Sequence, residues 1–366
     1  MESRARPGGA RGKVLVTGST GHLGANLLRR LIGDGEDVRV LVRPGTDDAA
    51  LAGLDVERAV GDLRDADAVR RAAAGCARVY HCAAIVSTVD GTARARREIF
   101  DTNVMGTRNL LTAAREAGAA KVVVSGSFSA LGHDLENPGR AVDERQILYP
   151  FGRIMPYSRT KVLVEQECLR AHADGLAVVV AVSTGVVGPH DYKPSRFGRT
   201  LCDYANGRLR FILPGSHEFV AAKDIADGHV LAMEKGRSGQ SYIFSTAFHS
   251  LDEIVAMFAE AAGDRGRYLR LSPRAFLPFA ELASFCLDRL RPSFNQRFTP
   301  HAIRRLIFDR RAEIAKARNE LGYAPTNIRD AIREAYEFHV ARGAIRRPRA
   351  AVPASGAALG GTVGPR

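Results

Sequence analysis

The sequence predicts an α/β protein: a doubly wound parallel sheet carrying a smaller, mainly helical C-terminal lobe. Three observations predict it. Short β-rich runs alternate with helical stretches as far as about residue 186. Several of those runs are unbroken apolar stretches, which suits parallel strands covered on both faces. A glycine-rich turn, "TGSTGHLG" at 17–24, joins the first run to the first helical stretch.

The strand candidates are "KVLVTG" (13–18), "DVRVLVR" (37–43), "VERAVG" (56–61), "RVYHCAA" (78–84), "KVVVSGS" (121–127), "LAVVVAVS" (176–183) and "SYIFS" (241–245). Helical stretches fall at 22–33, 66–74, 94–117 and 157–174. Beyond about 187 the rhythm changes: 187–220 is loop-rich, and the chain after 247 reads mainly helical. Residues 12–186 with about 221–246 are therefore expected to form the sheet domain, and 187–220 with 247–346 the substrate lobe. The ends, 1–11 and 347–366, hold too few large apolar groups to offset ordering entropy and are expected to be disordered.

The 366 residues carry a formal charge of +13, with arginines enriched after residue 264. No block of five or six like charges and no aromatic-interleaved RNA motif is present, so a nucleic-acid partner is not expected. No apolar run reaches 18 residues, so no membrane span is expected. The five cysteines are scattered, without metal-ligand spacing, so no metal is expected and a reducing, cytoplasmic setting fits.

Gly18, Gly21 and Gly24 allow, in turn, a tight bend, close approach of backbone to a pyrophosphate, and packing of the helix on the strand. The helix N-terminus then offers free N–H groups to an anion. This strand–turn–helix context marks a Rossmann-type dinucleotide site. Thr20, His22 and Leu23 lie inside the turn as further contacts, with the His22 ring expected to face solvent. An acid at the end of the second strand would grip ribose hydroxyls, but Arg43 stands there, which favours the 2′-phosphate of NADP(H) over NAD(H). At the end of the third strand, Asp62 can accept from an adenine amino group with Leu63 against the ring, or it can cap the next helix.

"PYSRTK" (156–161) sets Tyr157 and Lys161 one helical turn apart, with Pro156 suited to the first turn. Tyrosine normally titrates near 10, too high for efficient proton exchange at neutral pH, and an adjacent ammonium favours the phenolate. "VVVSGSFSALG" (122–132) ends a buried strand in hydroxyl residues that could hold a substrate oxygen. "DTNVMGTRNLL" (101–111) brings Asn103 on the preceding helix. His81, at a strand end, reads as structural.

These motifs, with "VRVLVRPGTD", "GLDVERAVGDLRD", "HCAA", "GVVGPHDYKPS" and "AAKDIADGHVLAMEKGRSGQSYIFS", run in order over about 12–345. The chain resembles the extended short-chain dehydrogenases/reductases of the NAD-dependent epimerase/dehydratase superfamily. Its pattern is that of the dihydroflavonol-reductase-like and 3β-hydroxysteroid-dehydrogenase-like branch, which includes hopanoid-associated sugar epimerase-like proteins. The resemblance implies Tyr157 as proton donor or acceptor, Lys161 as its partner and Ser127 as the strand-end serine, with Ser129 second. It implies cofactor contacts from Gly18, Gly21, Leu23, Gly24, Arg43, Asp62, Leu63, Cys82, Ala83, Ala84, Asn103, Ser125, Lys161, Ser183 and Val186. It implies a homodimer through the helices near 94–117 and 157–174. Ser127 is followed by Phe128 and Ser129 where dehydratases carry Asp-Glu, and Leu131 stands where many sugar epimerases carry Tyr. Ser183 replaces the family's usual proline.

Three activities are open on this reading. The first is a reductase or alcohol dehydrogenase acting on a ketone or secondary alcohol. The second is a nucleotide-sugar epimerase with tightly bound NAD. The third is an NADP(H)-sensing regulator without turnover. Phe128, Ser129, His133, Phe151, His190, Tyr192, Phe197 and Phe219 lie in or beside the loops expected to line the pocket. Aromatic side chains with few carboxylates suit a mostly hydrophobic molecule such as a polyketide, flavonoid or steroid.

Overall fold

A computed structural model of the chain describes residues 12–87, 91–132, 139–146, 155–263, 268–290, 299–300, 303–304 and 310–346. His133 and Phe151 lie outside these residues. Seven parallel strands form the main sheet: β1 (Lys13–Thr17), β2 (Val38–Val42), β3 (Glu57–Val60), β4 (Cys76–His81), β5 (Lys121–Ser127), β6 (Val178–Ser183) and β10 (Ser241–Phe244). Their order is β3-β2-β1-β4-β5-β6-β10. Strand order therefore reverses beside β1, and the crevice between the carboxyl ends of β1 and β4 is the place where such sheets bind ligands.

All seven are the runs anticipated from sequence, and the reason is visible in their packing. Alternate residues enter opposite cores. Val14, Val16, Val123, Val179 and Ala181 pack under Leu27, Leu28 and Leu31 of α1 (His22–Gly33) and Ile225, Val230 and Met233 of α7 (Ala222–Lys235). Leu15, Val122, Val124, Val178 and Val180 pack under α2 (Ala66–Ala73), α4 (Gly106–Glu116) and α5 (Pro156–Ala173). A strand covered on both faces needs no polar alternation.

The stretch 94–117, expected to be helical, is helical from 93 to 116 but changes its hydrogen-bond pattern part-way. Between α3 (Ala93–Phe100) and α4 lies a π-helical turn at Asp101–Met105. Its apolar residues keep helical spacing, and Asn103 within it makes the tertiary contacts described below.

A third core gathers Val187, Leu201, Ile212, Phe219, Ile254, Phe258, Ile328 and Ile332. It is built from α6 (Arg196–Ala205), α8 (Leu251–Ala262) and α10 (Ile328–Ala341) on a small sheet. In that sheet β9 (Ser216–Ala221) runs parallel to β7 (Gly185–Val187) and antiparallel to β11 (Ala247–Ser250). A second pair joins β8 (Phe211–Ile212) to β12 (Leu269–Arg270), followed by α9 (Pro273–Leu290). Residues 312–323 return to the main sheet: Ala317, Leu321 and Tyr323 join the α1/α7 core, and Tyr242 donates to Glu320 at 2.7 Å.

Among the described residues no helix is long and apolar enough to cross a membrane, and no group of three or more ligand residues is placed to hold a metal.

Candidate active site

The turn after β1 is shaped by steric exclusion. Gly18 has φ +74°, and a Cβ there would lie 2.5 Å from the Ala83 nitrogen, so the strand end after β4 presses on the bend. A Cβ on Gly24 would lie 2.1 Å from the Gly18 carbonyl oxygen. Gly21 is the N-cap of α1 and has no side chain to satisfy the first N–H groups, which leaves them open to an anion. Ser19, buried within the turn, has a hydroxyl without a hydrogen-bond partner among the described residues. A buried polar atom without a partner is a costly feature, and a bound anion would supply what it lacks.

The His22 ring does not face solvent. Its Nε2 lies 3.2 Å from the Gly188 carbonyl and 3.1 Å from that of Pro189, and its Nδ1 is 4.0 Å from Asp191. Burial lowers its pKa against the pull of Asp191. The side chain thus ties α1 to the 188–191 loop. The carbonyls that hold it are more than 160 positions away in sequence, which is why local reading turned the ring outward.

Arg43 is exposed at the end of β2, close enough to Asp62 to help lower its pKa. The larger cause is Arg64, which grips the Asp62 carboxylate with Nε and Nη2, both at 2.9 Å. Asp62 is not the helix cap. That role belongs to Asp65, which accepts from the Asp67 and Ala68 N–H groups. Leu63 is buried against Gly106, whose Cβ would lie 2.8 Å from it.

The ends of β4 and β5 carry a chain of buried polar groups. The Thr107 hydroxyl donates to the Asn103 carbonyl at 2.5 Å, so it accepts from His81 Nε2 at 2.8 Å, and His81 Nδ1 accepts from Thr17 Oγ1 at 2.6 Å. His81 is therefore the neutral Nε2–H tautomer, and burial, helped by Lys161, takes its pKa down to about 3. Its role is structural, as its position suggested. Asn103 uses its whole amide on protein. It accepts from the Ile85 N–H at 2.7 Å and donates to the Ile85 carbonyl and Thr160 Oγ1, both at 3.0 Å. It clamps the segment after β4 to α5, and the π-turn is what turns it inward.

Lys161 is 4% exposed, and its ammonium donates to the Ser125 carbonyl at 2.7 Å. Ser125 is held in turn by His229 on α7: the hydroxyl donates to His229 Nε2 at 2.7 Å, and His229 Nδ1 donates to the Ile225 carbonyl at 2.8 Å. Burial lowers the His229 pKa to about 4. Cys82 sits beside this group; burial pushes its thiol up to about 11, against Ser125 and Lys161. Two residues further along β5, the Ser127 and Ser129 hydroxyls are 2.9 Å apart. Tyr157 is half-buried on the first turn of α5, and its carbonyl accepts from Thr160 at 2.7 Å. Ser183 pairs in register with Ser127, and its hydroxyl donates to the Thr184 carbonyl. Val186 packs against the α1/α7 core.

The aromatic candidates make the following contacts. Phe128 is in the α4/α5 core under the Arg310 guanidinium, 4.8 Å from its ring centre. Phe197 stacks edge-on with Phe219 at 4.7 Å in the lobe. His190, with φ +62°, and Tyr192 cluster with Phe338, and Arg29 donates to the Tyr192 hydroxyl at 2.8 Å. These rings join α1 to α10.

Sequence reasoning passed over three residues: Ser19, His229 and Glu165. The first two had no distinguishing spacing. Glu165 did, since it continues the one-turn series Tyr157, Lys161, Glu165 on α5. It is 6% exposed, and its Oε1 has no partner among the described residues. Burial pushes its pKa up to about 7, against Lys161. A carboxyl whose folded pKa exceeds its unfolded value favours the fold when protonated, and that advantage is full below about 4.5 and lost as pH rises from there to about 7. Glu165→Gln is therefore expected to come closest to the wild type in denaturant unfolding near pH 4.5 and to be more stable by about 2–3 kcal/mol at pH 8. Equal stability at both pH values would remove the buried-charge account.

This arrangement of glycine turn, clamped strand ends and buried lysine belongs to one class of protein. The chain is a member of the NAD dependent epimerase/dehydratase family, whose model matches residues 14–245. It is 41% identical over 332 residues to sterol demethylase protein B of Methylococcus capsulatus, covering 91% of this chain and 99% of that one. It is 30% identical over 345 residues to a 3 beta-hydroxysteroid dehydrogenase/Delta 5-->4-isomerase of Mycobacterium tuberculosis, covering 90% of each. Among solved structures, gox2253 superposes with a TM-score of 0.78 at 33% identity, covering 91% of this chain and 99% of that one. The family binds a nicotinamide dinucleotide, as the motifs implied.

Proposed function

We propose that the protein is an NADP(H)-dependent oxidoreductase that interconverts a ketone and a secondary alcohol on a mostly hydrophobic, sterol-like molecule, with Tyr157 as the acid–base group. The observation that carries this reading is the seating of Lys161. A buried ammonium one turn from Tyr157 is held on the strand that ends in Ser127. The names of the sterol- and steroid-related relatives support the substrate class.

The glycine turn fits the dinucleotide: it has no room for a Cβ at Gly18 or Gly24, and Ser19 and the α1 N-terminus offer unmet donors. These groups would hold the pyrophosphate, and exposed Arg43 would pair with a 2′-phosphate. The bound nicotinamide supplies the hydride acceptor or donor. Lys161 gives one N–H to Ser125 and keeps two for the ribose and for stabilising a phenolate. Tyr157 gives its proton to the substrate oxygen during reduction and takes it back during oxidation. Ser127, oriented by Ser129, donates to that oxygen as charge develops on it.

The test is turnover of a panel of steroid ketones, long-chain β-keto acids and UDP-sugars with NADPH or NADH. Reduction of an apolar ketone, with an NADPH preference that Arg43→Ala abolishes, is the expected result. Epimerisation of a UDP-sugar by protein that retains NAD through purification would overturn it.

A further inference from the structure

We propose that α9 docks the protein on the surface of an anionic lipid bilayer. The helix is apolar on two sides. On one, Phe276, Leu277 and Ala280 pack with Leu213 and Ile303 in a small separate cluster. On the other, Phe279 is 70% exposed, Leu282 64%, Phe285 58% and Leu290 80%. At 100° per residue these four fall within an arc of about 140°. Exposed Ala275, Pro278 and Cys286 share that arc. Leu269, on the strand leading into the helix, is 69% exposed as well. Isolated exposed leucines are ordinary, but a continuous apolar stripe is a contact surface.

Charge identifies the occupant. The chain carries a formal +13, and some of its positive charge stands unneutralised beside α9. Arg274 in the first turn of α9 and Arg210 beside β8 are exposed and have no carboxylate partner among the described residues, whereas Arg270 is paired with Asp252 and Arg304 with Glu281. A helix with Phe and Leu on one arc and arginine at its margin is suited to lie in the interface of an anionic membrane. Nucleic acid would engage the arginines but leave the apolar stripe in water. A second copy would cover the stripe but bring Arg210 and Arg274 of both copies into one contact, because a two-fold contact sets each patch against itself. The bilayer satisfies both features. This inference does not depend on the proposed reaction.

The experiment is co-sedimentation of the full chain with vesicles of phosphatidylcholine alone or with phosphatidylglycerol. The wild type is expected to bind only the phosphatidylglycerol vesicles and to be released as salt shortens the Debye length. Phe279→Ser/Phe285→Ser is expected to weaken partition about ten-fold or more. Arg210→Gln and Arg274→Gln should each weaken it by roughly five-fold. All should keep the wild-type melting temperature and far-UV spectrum. Failure of the wild type to bind, or binding undiminished in these variants, overturns the proposal. So does a lipid-free dimer that becomes monomeric on Phe279→Ser/Phe285→Ser.

Discussion

Tyr157→Phe is expected to lower kcat by about 10²–10⁴-fold, or roughly 3–5 kcal/mol of transition-state stabilisation, while dinucleotide affinity stays within a factor of two or so. The substitution removes one oxygen from a half-buried ring and leaves its packing on α5 intact, so stability should change little. Single-turnover hydride transfer followed at the nicotinamide absorbance, with cofactor binding followed by fluorescence, separates the two effects. Lys161→Met should lose both, because its ammonium is also a donor to the ribose in the proposed site, and because it leaves the Ser125 carbonyl without its buried partner. An active Tyr157→Phe enzyme would remove the assignment of the proton to this residue.

Gly24→Ala should have the largest effect on the protein itself. Gly24 lies in the first turn of α1 with ordinary helical backbone, so no φ strain is involved. The cost is steric. The new methyl would sit 2.1 Å from the Gly18 oxygen, 2.7 Å from the Gly18 carbonyl carbon and 3.0 Å from the Ser19 Cα, all backbone atoms that cannot rotate away. The helix must lift off the turn, at about 3 kcal/mol, and the N–H groups that face the anion move with it. Thermal unfolding and dinucleotide titration should both report the loss. Gly33→Ala, at the other end of the same helix with nothing within 4 Å, is the control and should be neutral or slightly stabilising. Equal effects at the two positions would show that the turn tolerates the methyl.

The main sheet was legible chiefly because its central strands are buried on both faces. "KVVVSGS" and "VVVAVS" declare themselves by composition, since few β-branched runs of that kind can satisfy any other environment. The small sheet was not legible. Gly185–Val187 and Ala247–Ser250 are short, and each pairs with Ser216–Ala221 across a gap that sequence periodicity does not register. The π-turn at Asp101–Met105 was hidden for a related reason, since its residues keep helical spacing and only the Asn103 clamp on Ile85 and Thr160 marks it. The contact of Phe128 with Arg310, 182 positions away, is of the same kind and has no local signal in the sequence.

The stretch "PYSRTK" shows the division most clearly. The sequence alone determined that Tyr157 and Lys161 share a helix face, because 3.6 residues per turn require it, and that Gly18, Gly21 and Gly24 serve a tight bend, the approach of an anion and the packing of the helix on the strand. Only the tertiary structure decided where Lys161 puts its proton and what fixes its acceptor. The Ser125 carbonyl is 36 positions away and is steadied by His229, 104 positions from Ser125. Local periodicity follows from covalent geometry and is written in consecutive residues. A buried ammonium must instead find its partners wherever the folded chain has removed water, and no spacing records that.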